Sequence, residues 1–243
     1  MNEVKVYIGG CSRVALNLLN RINLDECAED ILLIDTPEKA KDNEDFINDN
    51  RFLYYEMDFT SLNQEKLNLF FEYIDNLNVE ISEVITMSGV NFSNSVFTLT
   101  LDEWKDTTNV NVTGPLFLVK VLINFMAKKS KIIFVSSINS FYGHADRIDY
   151  AAAKASLNQL CRNLAIELQS YDITVNALLP GPIIEDINNI PLEIFQSSKK
   201  GAHSMERYIL DYDEVSDVLL FLASDQSNAI NGQLIVLDKG LTL

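Results

Sequence analysis

Short aliphatic and β-branched runs alternate along the chain with longer stretches whose apolar positions recur at helical spacing. The runs Val4 to Ile8, Ile31 to Ile34, Arg51 to Glu56, Val84 to Met87, Lys131 to Val135, Thr174 to Leu178 and Leu234 to Leu237 read as strands. Helical periodicity spans Arg13 to Asn23, Leu62 to Leu77, Leu101 to Met126, Ile148 to Gln169 and Asp213 to Ala223. Such alternation predicts parallel strands joined by right-handed helical crossovers: an α/β, doubly wound sheet covered by helices on both faces. Lys131 to Val135 is apolar at nearly every position, as a strand buried on both faces should be. No linker or repeat interrupts the pattern, so residues 1–243 form one domain. Only residues 182–205 depart from it, with Pro191, an Asn pair and a Ser-Ser-Lys-Lys-Gly run. That segment follows the sixth strand at its carboxyl end, where open sheets bind ligands, and reads as a lid.

Composition narrows the class. With 47% hydrophobic and 22% charged residues the chain is neither disordered nor collagen-like. No apolar run reaches the roughly 18 residues of a spanning helix. The amino terminus lacks a basic segment leading into a long apolar one, which argues against secretion. Cys11, Cys27 and Cys161 have no metal-ligand spacing and read as reduced thiols of a cytoplasmic protein. A formal net charge of −16 repels phosphate, which excludes nucleic acid as a partner.

Candidate chemistry sits in Asp149-Tyr150-Ala-Ala-Ala-Lys154. At a spacing of four, Tyr150 and Lys154 share one helical face, where an ammonium would pull the phenol below its usual value of about 10. Val135-Ser136-Ser137 ends the fifth strand, so a hydroxyl emerges at the same sheet edge. Asn111 lies inside a helical stretch in Asn-Val-Asn-Val-Thr-Gly-Pro, where Asn is unfavourable and invites a reason. Pro180-Gly181 places a tight turn beside them.

These residues, with the ending Asn231-Gly232-Gln233 to Asp238-Lys239-Gly240, resemble the short-chain dehydrogenase/reductase family in its single-domain, 3-oxoacyl reductase-like branch. The resemblance implies a Rossmann-like, three-layer fold with seven strands ordered 3-2-1-4-5-6-7. It implies Tyr150 as general acid/base and Ser137 as hydrogen-bond donor to a substrate carbonyl. Lys154 would lower the tyrosine and hold a cofactor ribose, and Asn111 would anchor a water in a proton relay. The implied cofactor-binding set is Gly10, Ser12, Arg13, Asp35, Asp58, Gly89, Tyr150, Lys154, Pro180, Gly181 and Ile183.

The likeness frays on the cofactor side. The family's first turn reads T-G-x-x-x-G-x-G; here it is Gly9-Gly10-Cys11-Ser12-Arg13-Val14-Ala15-Leu16. Val14 and Leu16 put branched side chains where glycines allow backbone to approach a pyrophosphate and a helix to approach a strand. Thr86-Met87-Ser88-Gly89 stands in place of N-N-A-G, and Glu185 stands where the family usually has Thr. Asp35 would accept bonds from a ribose 2′-hydroxyl and repel a 2′-phosphate, favouring NAD(H) over NADP(H), whereas Arg13 pulls the other way. Asp58 matches the acid that contacts adenine. Binding is expected to be weak or lost.

His144 and His203 have no metal-ligand partners at suitable spacing, and no metal is expected. His144 reads as a polar loop residue, and Lys199 and Lys200 as solvated charges. The leading expectation is an NAD(P)-dependent carbonyl reductase or alcohol dehydrogenase acting on a small-molecule or carrier-bound carbonyl. Two alternatives stay open: a subunit of a hetero-oligomer that has lost its dinucleotide, and a cofactor-independent lyase or dehalogenase-like enzyme. The family's enzymes of that last kind carry Arg where Lys154 stands. A homotetramer or homodimer is the expected assembly, with Phe117, Leu157 and Leu160 in core or interface.

Overall fold

A computed structural model describes residues 2–22, 29–184 and 206–243. The elements run β1 (Asn2–Ile8), α1 (Arg13–Arg21), β2 (Asp30–Asp35), α2 (Pro37–Lys41), α3 (Glu44–Ile47), β3 (Phe52–Glu56), α4 (Gln64–Leu77), β4 (Val79–Thr86) and α5 (Leu101–Thr108). They continue through α6 (Gly114–Leu122), β5 (Met126–Val135), α7 (Ile148–Glu167), β6 (Thr174–Pro180), α8 (Tyr212–Ala223) and β7 (Leu234–Leu237). The strands form one sheet in the order β3-β2-β1-β4-β5-β6-β7, and every pairing is parallel. This is the doubly wound, single-domain α/β architecture expected from the alternation. The lid expectation for 182–205 falls almost wholly outside the described residues, as do Cys27, Glu185, Lys199, Lys200 and His203.

Alternation along the strands splits the core in two. Val4, Val6 and Ile8 of β1 and Leu32 and Ile34 of β2 pack with α4, α6 and α7. Tyr7, Ile31 and Leu33 point the other way, against α1 and α8. On β4, Ile81 and Val84 share a face although three residues apart, because the register shifts between Ile81 and Glu83. Leu157 is core, while Phe117 and Leu160 are partly buried against it.

The helix expected from Leu101 to Met126 is three pieces. Pro115 has no N–H to give the Asn111 carbonyl, and the chain widens into a π turn at Asn109–Thr113, where the Gly114 N–H donates to the Asn109 carbonyl. Gly114 is required there, since a β-carbon would lie 2.4 Å from the Phe59 ring. Past α6, a 3₁₀ turn at Ile123–Phe125 closes the segment, and Met126 already belongs to β5. The two short helices α2 and α3 were not expected; Thr36 caps α2 by accepting from the Lys39 N–H at 3.4 Å, with Pro37 in its first turn.

One polar group is out of place in this core. Glu83 is 5% exposed, its Oε1 has no hydrogen-bond partner among the described residues, and it stands in register between Lys5 of β1 and Lys131 of β5. Burial raises its carboxyl above the ordinary 4.5, against smaller lowering influences of Lys5 and Tyr7. The folded chain therefore favours the protonated acid. The stabilisation this gives is complete below the unfolded value and is lost as pH rises through the folded one. Glu83→Gln is expected to resist urea better than the parent at about pH 7.5, with the gain disappearing by about pH 4. An equal gain at both pH values would refute the electrostatic account.

Candidate functional site

All seven strands run the same way, so their carboxyl ends share one edge, and the order reverses direction between β1 and β4. Gly9 leaves β1 with φ +79°, and a β-carbon on it would sit 2.4 Å from the Ser88 nitrogen. On Gly10 a β-carbon would meet Leu33 and the Tyr7 carbonyl, each at 2.9 Å. Both turn glycines are thus demanded by backbone packing. Their N–H groups donate to the Ile34 carbonyl at 2.8 and 3.2 Å.

Asp35 finishes the turn. Its Oδ2 accepts from the Cys11 N–H at 2.9 Å and its Oδ1 from the Thr36 N–H at 2.8 Å. Burial holds this carboxyl above its ordinary value, while those two N–H bonds pull it down. Burial likewise pushes the Cys11 thiol up to about 12, with Asp35 adding to it. Cys11 is inert as a nucleophile at neutral pH.

Ser12 caps α1, its hydroxyl accepting from the Ala15 N–H at 3.3 Å, and Arg13 is the first helical residue. Val14 and Leu16 are therefore helical, and Val14 packs on the α1–α8 core. Asp58 caps a 3₁₀ turn at Phe59–Ser61 and accepts from the Thr60 N–H at 2.9 Å. Gly181, after Pro180, donates its N–H to the Leu237 carbonyl at 2.7 Å, and Ile183 bridges to Leu210.

Four side chains converge beside this turn. Ser137 leaves β5 as the cap of a 3₁₀ turn at Ile138–Ser140, accepting from the Asn139 N–H at 3.1 Å. Its hydroxyl lies close enough to Tyr150 to draw the phenol's pKa downward. The Ser140 hydroxyl donates to the Ser137 carbonyl at 2.5 Å, and the Asn158 amide donates to Ser140 at 2.7 Å, so the serine is braced from α7. Lys154 is 4% exposed; its Nζ donates to the Val135 carbonyl at 2.9 Å and lies 5.6 Å from the centre of the Tyr150 ring. The Asn111 amide donates to the Val90 and Thr107 carbonyls at 3.0 and 2.8 Å, leaving its buried Oδ1 without a partner among the described residues. Over Gly89 two of them meet: a β-carbon there would lie 3.0 Å from Asn111 Oδ1 and 3.5 Å from Lys154 Nζ.

The electrostatics differ from expectation. Burial raises the Tyr150 phenol above its ordinary value of 10, and the influences opposing it come from the Ser137 hydroxyl and Arg147, not from Lys154. Burial also brings Lys154 down to about 8, so its ammonium is itself disfavoured. At the sequence level Arg147 stood only as a possible member of a basic patch with Lys199, Lys200 and Arg207; its influence on Tyr150 went unseen, though its place one turn before that residue could have flagged it. Asp149 and Thr107, both buried beside the site, went unremarked too. His144 contacts the Ala145 carbonyl of its own loop at 2.5 Å.

The architecture is that of a single-domain, doubly wound α/β enzyme with a polar cluster at its sheet crevice. A family profile described as enoyl-(acyl carrier protein) reductase matches residues 26–242. The chain is 29% identical over 182 residues to the 3-oxoacyl-[acyl-carrier-protein] reductase FabG of Aquifex aeolicus, covering 74% of this chain and 73% of that one. It is 30% identical over 169 residues to the FabG reductase of Thermotoga maritima, 67% of each chain, and 31% identical over 167 residues to the L-rhamnose-1-dehydrogenase of Scheffersomyces stipitis, 67% of this chain and 64% of the other. A short-chain dehydrogenase family protein of Francisella tularensis superposes with a TM-score of 0.83 at 22% identity, covering 100% of this chain and 99% of that one. One from Leptospira borgpetersenii, solved with bound NAD+, superposes with a TM-score of 0.81 at 20% identity over 100% and 94%. The chain belongs to the short-chain dehydrogenase/reductase family, in its 3-oxoacyl reductase-like branch, and is an enzyme of that type. No helix among the described residues is long and apolar enough to cross a membrane.

The glycine turn yields a direct test. Gly9→Ala combines a left-handed φ with a backbone clash and is expected to cost about 2–4 kcal/mol in chemical denaturation. A loss below about 1 kcal/mol would show that β1 and β4 can part at this point.

Proposed function

We propose that this chain reduces a carbonyl, or oxidises the matching alcohol, with a nicotinamide dinucleotide as the hydride source or acceptor. The observation that carries the reading is Tyr150 close to the Ser137 hydroxyl and to the buried Lys154, with an Asn111 oxygen that has no hydrogen-bond partner among the described residues. Ser137 accepts from the Asn139 N–H, which leaves its own proton to donate to a substrate oxygen. Tyr150 delivers the proton that oxygen needs as it becomes an alcohol. Its raised pKa keeps the phenol protonated through neutral pH, which suits the reducing direction. Lys154 supplies N–H donors to a ribose, and Asn111 Oδ1 offers a buried acceptor for one relay water. When bound, the dinucleotide supplies the hydride.

The residues present fit such a group in part. Gly9 and Gly10 keep side chains away from the turn, and the Asp35 oxygens, each already taking one N–H, retain lone pairs for ribose hydroxyls. Asp35 also disfavours a 2′-phosphate, so NAD(H) is the preferred cofactor. Val14 and Leu16 fit less well, because the family's glycines at those places let backbone approach a pyrophosphate and the helix approach the strand. The FabG relatives support a 3-oxoacyl or similar ketone as substrate. A homotetramer or homodimer is the proposed assembly, consistent with exposed apolar residues such as Phe97 and Ile166.

Tyr150→Phe is expected to abolish NADH-dependent reduction of a 3-oxoacyl thioester, by about a thousandfold or more, with an unchanged melting temperature. Parent-like turnover would remove Tyr150 as the proton donor.

Calorimetric titration is expected to show NADH bound more tightly than NADPH. Val14→Gly with Leu16→Gly should tighten NADH binding while lowering stability by about 1 kcal/mol per helical glycine. Equal affinities for the two dinucleotides would contradict the role given to Asp35. No binding of either by the parent chain would favour the reading as a subunit that has lost its dinucleotide.

A further inference from the structure

Asp149 is 2% exposed and directly precedes Tyr150, yet no step above uses it. It stands in the first turn of α7, whose capping residue Arg147 makes no side-chain cap. A carboxylate there answers the unpaired N–H groups and positive end of the helix. Its Oδ2 accepts from the Thr107 hydroxyl of α5 at 2.7 Å, and Thr107 is wholly buried. The Asn94 amide reaches the same oxygen at 3.5 Å, and Asp149 Oδ1 has no hydrogen-bond partner among the described residues. Leaving a buried carboxylate so sparsely paired is costly, which asks for a reason.

Thr107 works in two directions. Its hydroxyl binds Asp149, and its carbonyl accepts from the Asn111 amide at 2.8 Å. One residue thus joins the helix that carries Tyr150 and Lys154 to the π turn that carries Asn111. A second tie runs parallel, from the Ile148 N–H to the Asn94 carbonyl at 3.4 Å.

We propose that Asp149 is a positioning residue that, through Thr107, sets Tyr150 and Lys154 in register with Asn111. The proposal rests on the catalytic reading of those three side chains. Buried and acting only through Thr107, Asp149 should affect the chemical step when lost and spare ground-state binding.

The test measures kcat and KM for NADH-dependent reduction of a 3-oxoacyl thioester, together with melting temperatures, in the full chain. Asp149→Ala and Thr107→Val should each lower kcat about tenfold or more, with both KM values within about twofold. Asp149→Asn keeps an acceptor for the Thr107 hydroxyl and should stay within about threefold of the parent. The double variant Asp149→Ala with Thr107→Val should be no worse than either single change. Where Asp149→Ala does not fold, Asp149→Asn and the near-isosteric Thr107→Val decide the matter. Undiminished kcat in Thr107→Val or Asp149→Ala, losses that add in the double variant, or failure of Asn to rescue would overturn the proposal. A parent chain inactive on the thioester would overturn the catalytic reading as well, whereas an active parent with an equally active Asp149→Ala overturns only this one.

Discussion

The close approach of β1 and β4 at their carboxyl ends governs the rest of the site. Gly9 lies against the Met87–Ser88 backbone at a distance no β-carbon tolerates, and the Met87 N–H donates to the Ile8 carbonyl at 2.6 Å. Beyond this pinch the two chains must diverge, one into α1 and the other toward Gly89. The crevice opens between them because the next crossovers leave on opposite faces of the sheet. Asp35 braces one wall by accepting the Cys11 N–H, and Asn111 braces the other through the Val90 carbonyl.

Within the crevice, desolvation outweighs pairwise attraction. The Tyr150 phenol is pushed up and the Lys154 ammonium down, so both groups are held toward their neutral forms. The Ser137 hydroxyl and Arg147 guanidinium then set how far the phenol can be drawn back. Arg147 is held by the Ser93 hydroxyl and the Asp146 carbonyl, so its influence depends on the loop after β4.

Most of the fold was legible in the sequence because strand and helix periods differ and alternate. All seven strands follow from it, their order came with the family resemblance, and Asn111 and Lys154 approach each other over Gly89. What escaped was local. Pro115 was visible, but period counting runs through a π turn because apolar positions continue on both sides of it. The upward shift of Tyr150 escaped because spacing along a helix reports neighbours, while burial depends on every element packed around them. Asp35 was read as a ligand residue, and its structural duty toward Cys11 and Thr36 needed coordinates. Asp149 stood beside Tyr150 in plain view; its hydrogen-bond partner lies 42 positions away.

The π turn at Asn109–Thr113 also restrains how this chain can vary in length. One residue more or less rotates everything after it by about 100° about the helix axis. Leu118, Val119 and Leu122, all completely buried, face the sheet only because the wide turn supplies the right phase after α5. Deleting a residue from 109–113 would restore regular winding yet swing that apolar stripe toward solvent and carry Asn111 away from Gly89. Apart from Asn111, the residue count of this segment constrains the chain more than its side chains do, and an alignment gap placed inside it would mark a chain built on a different α6.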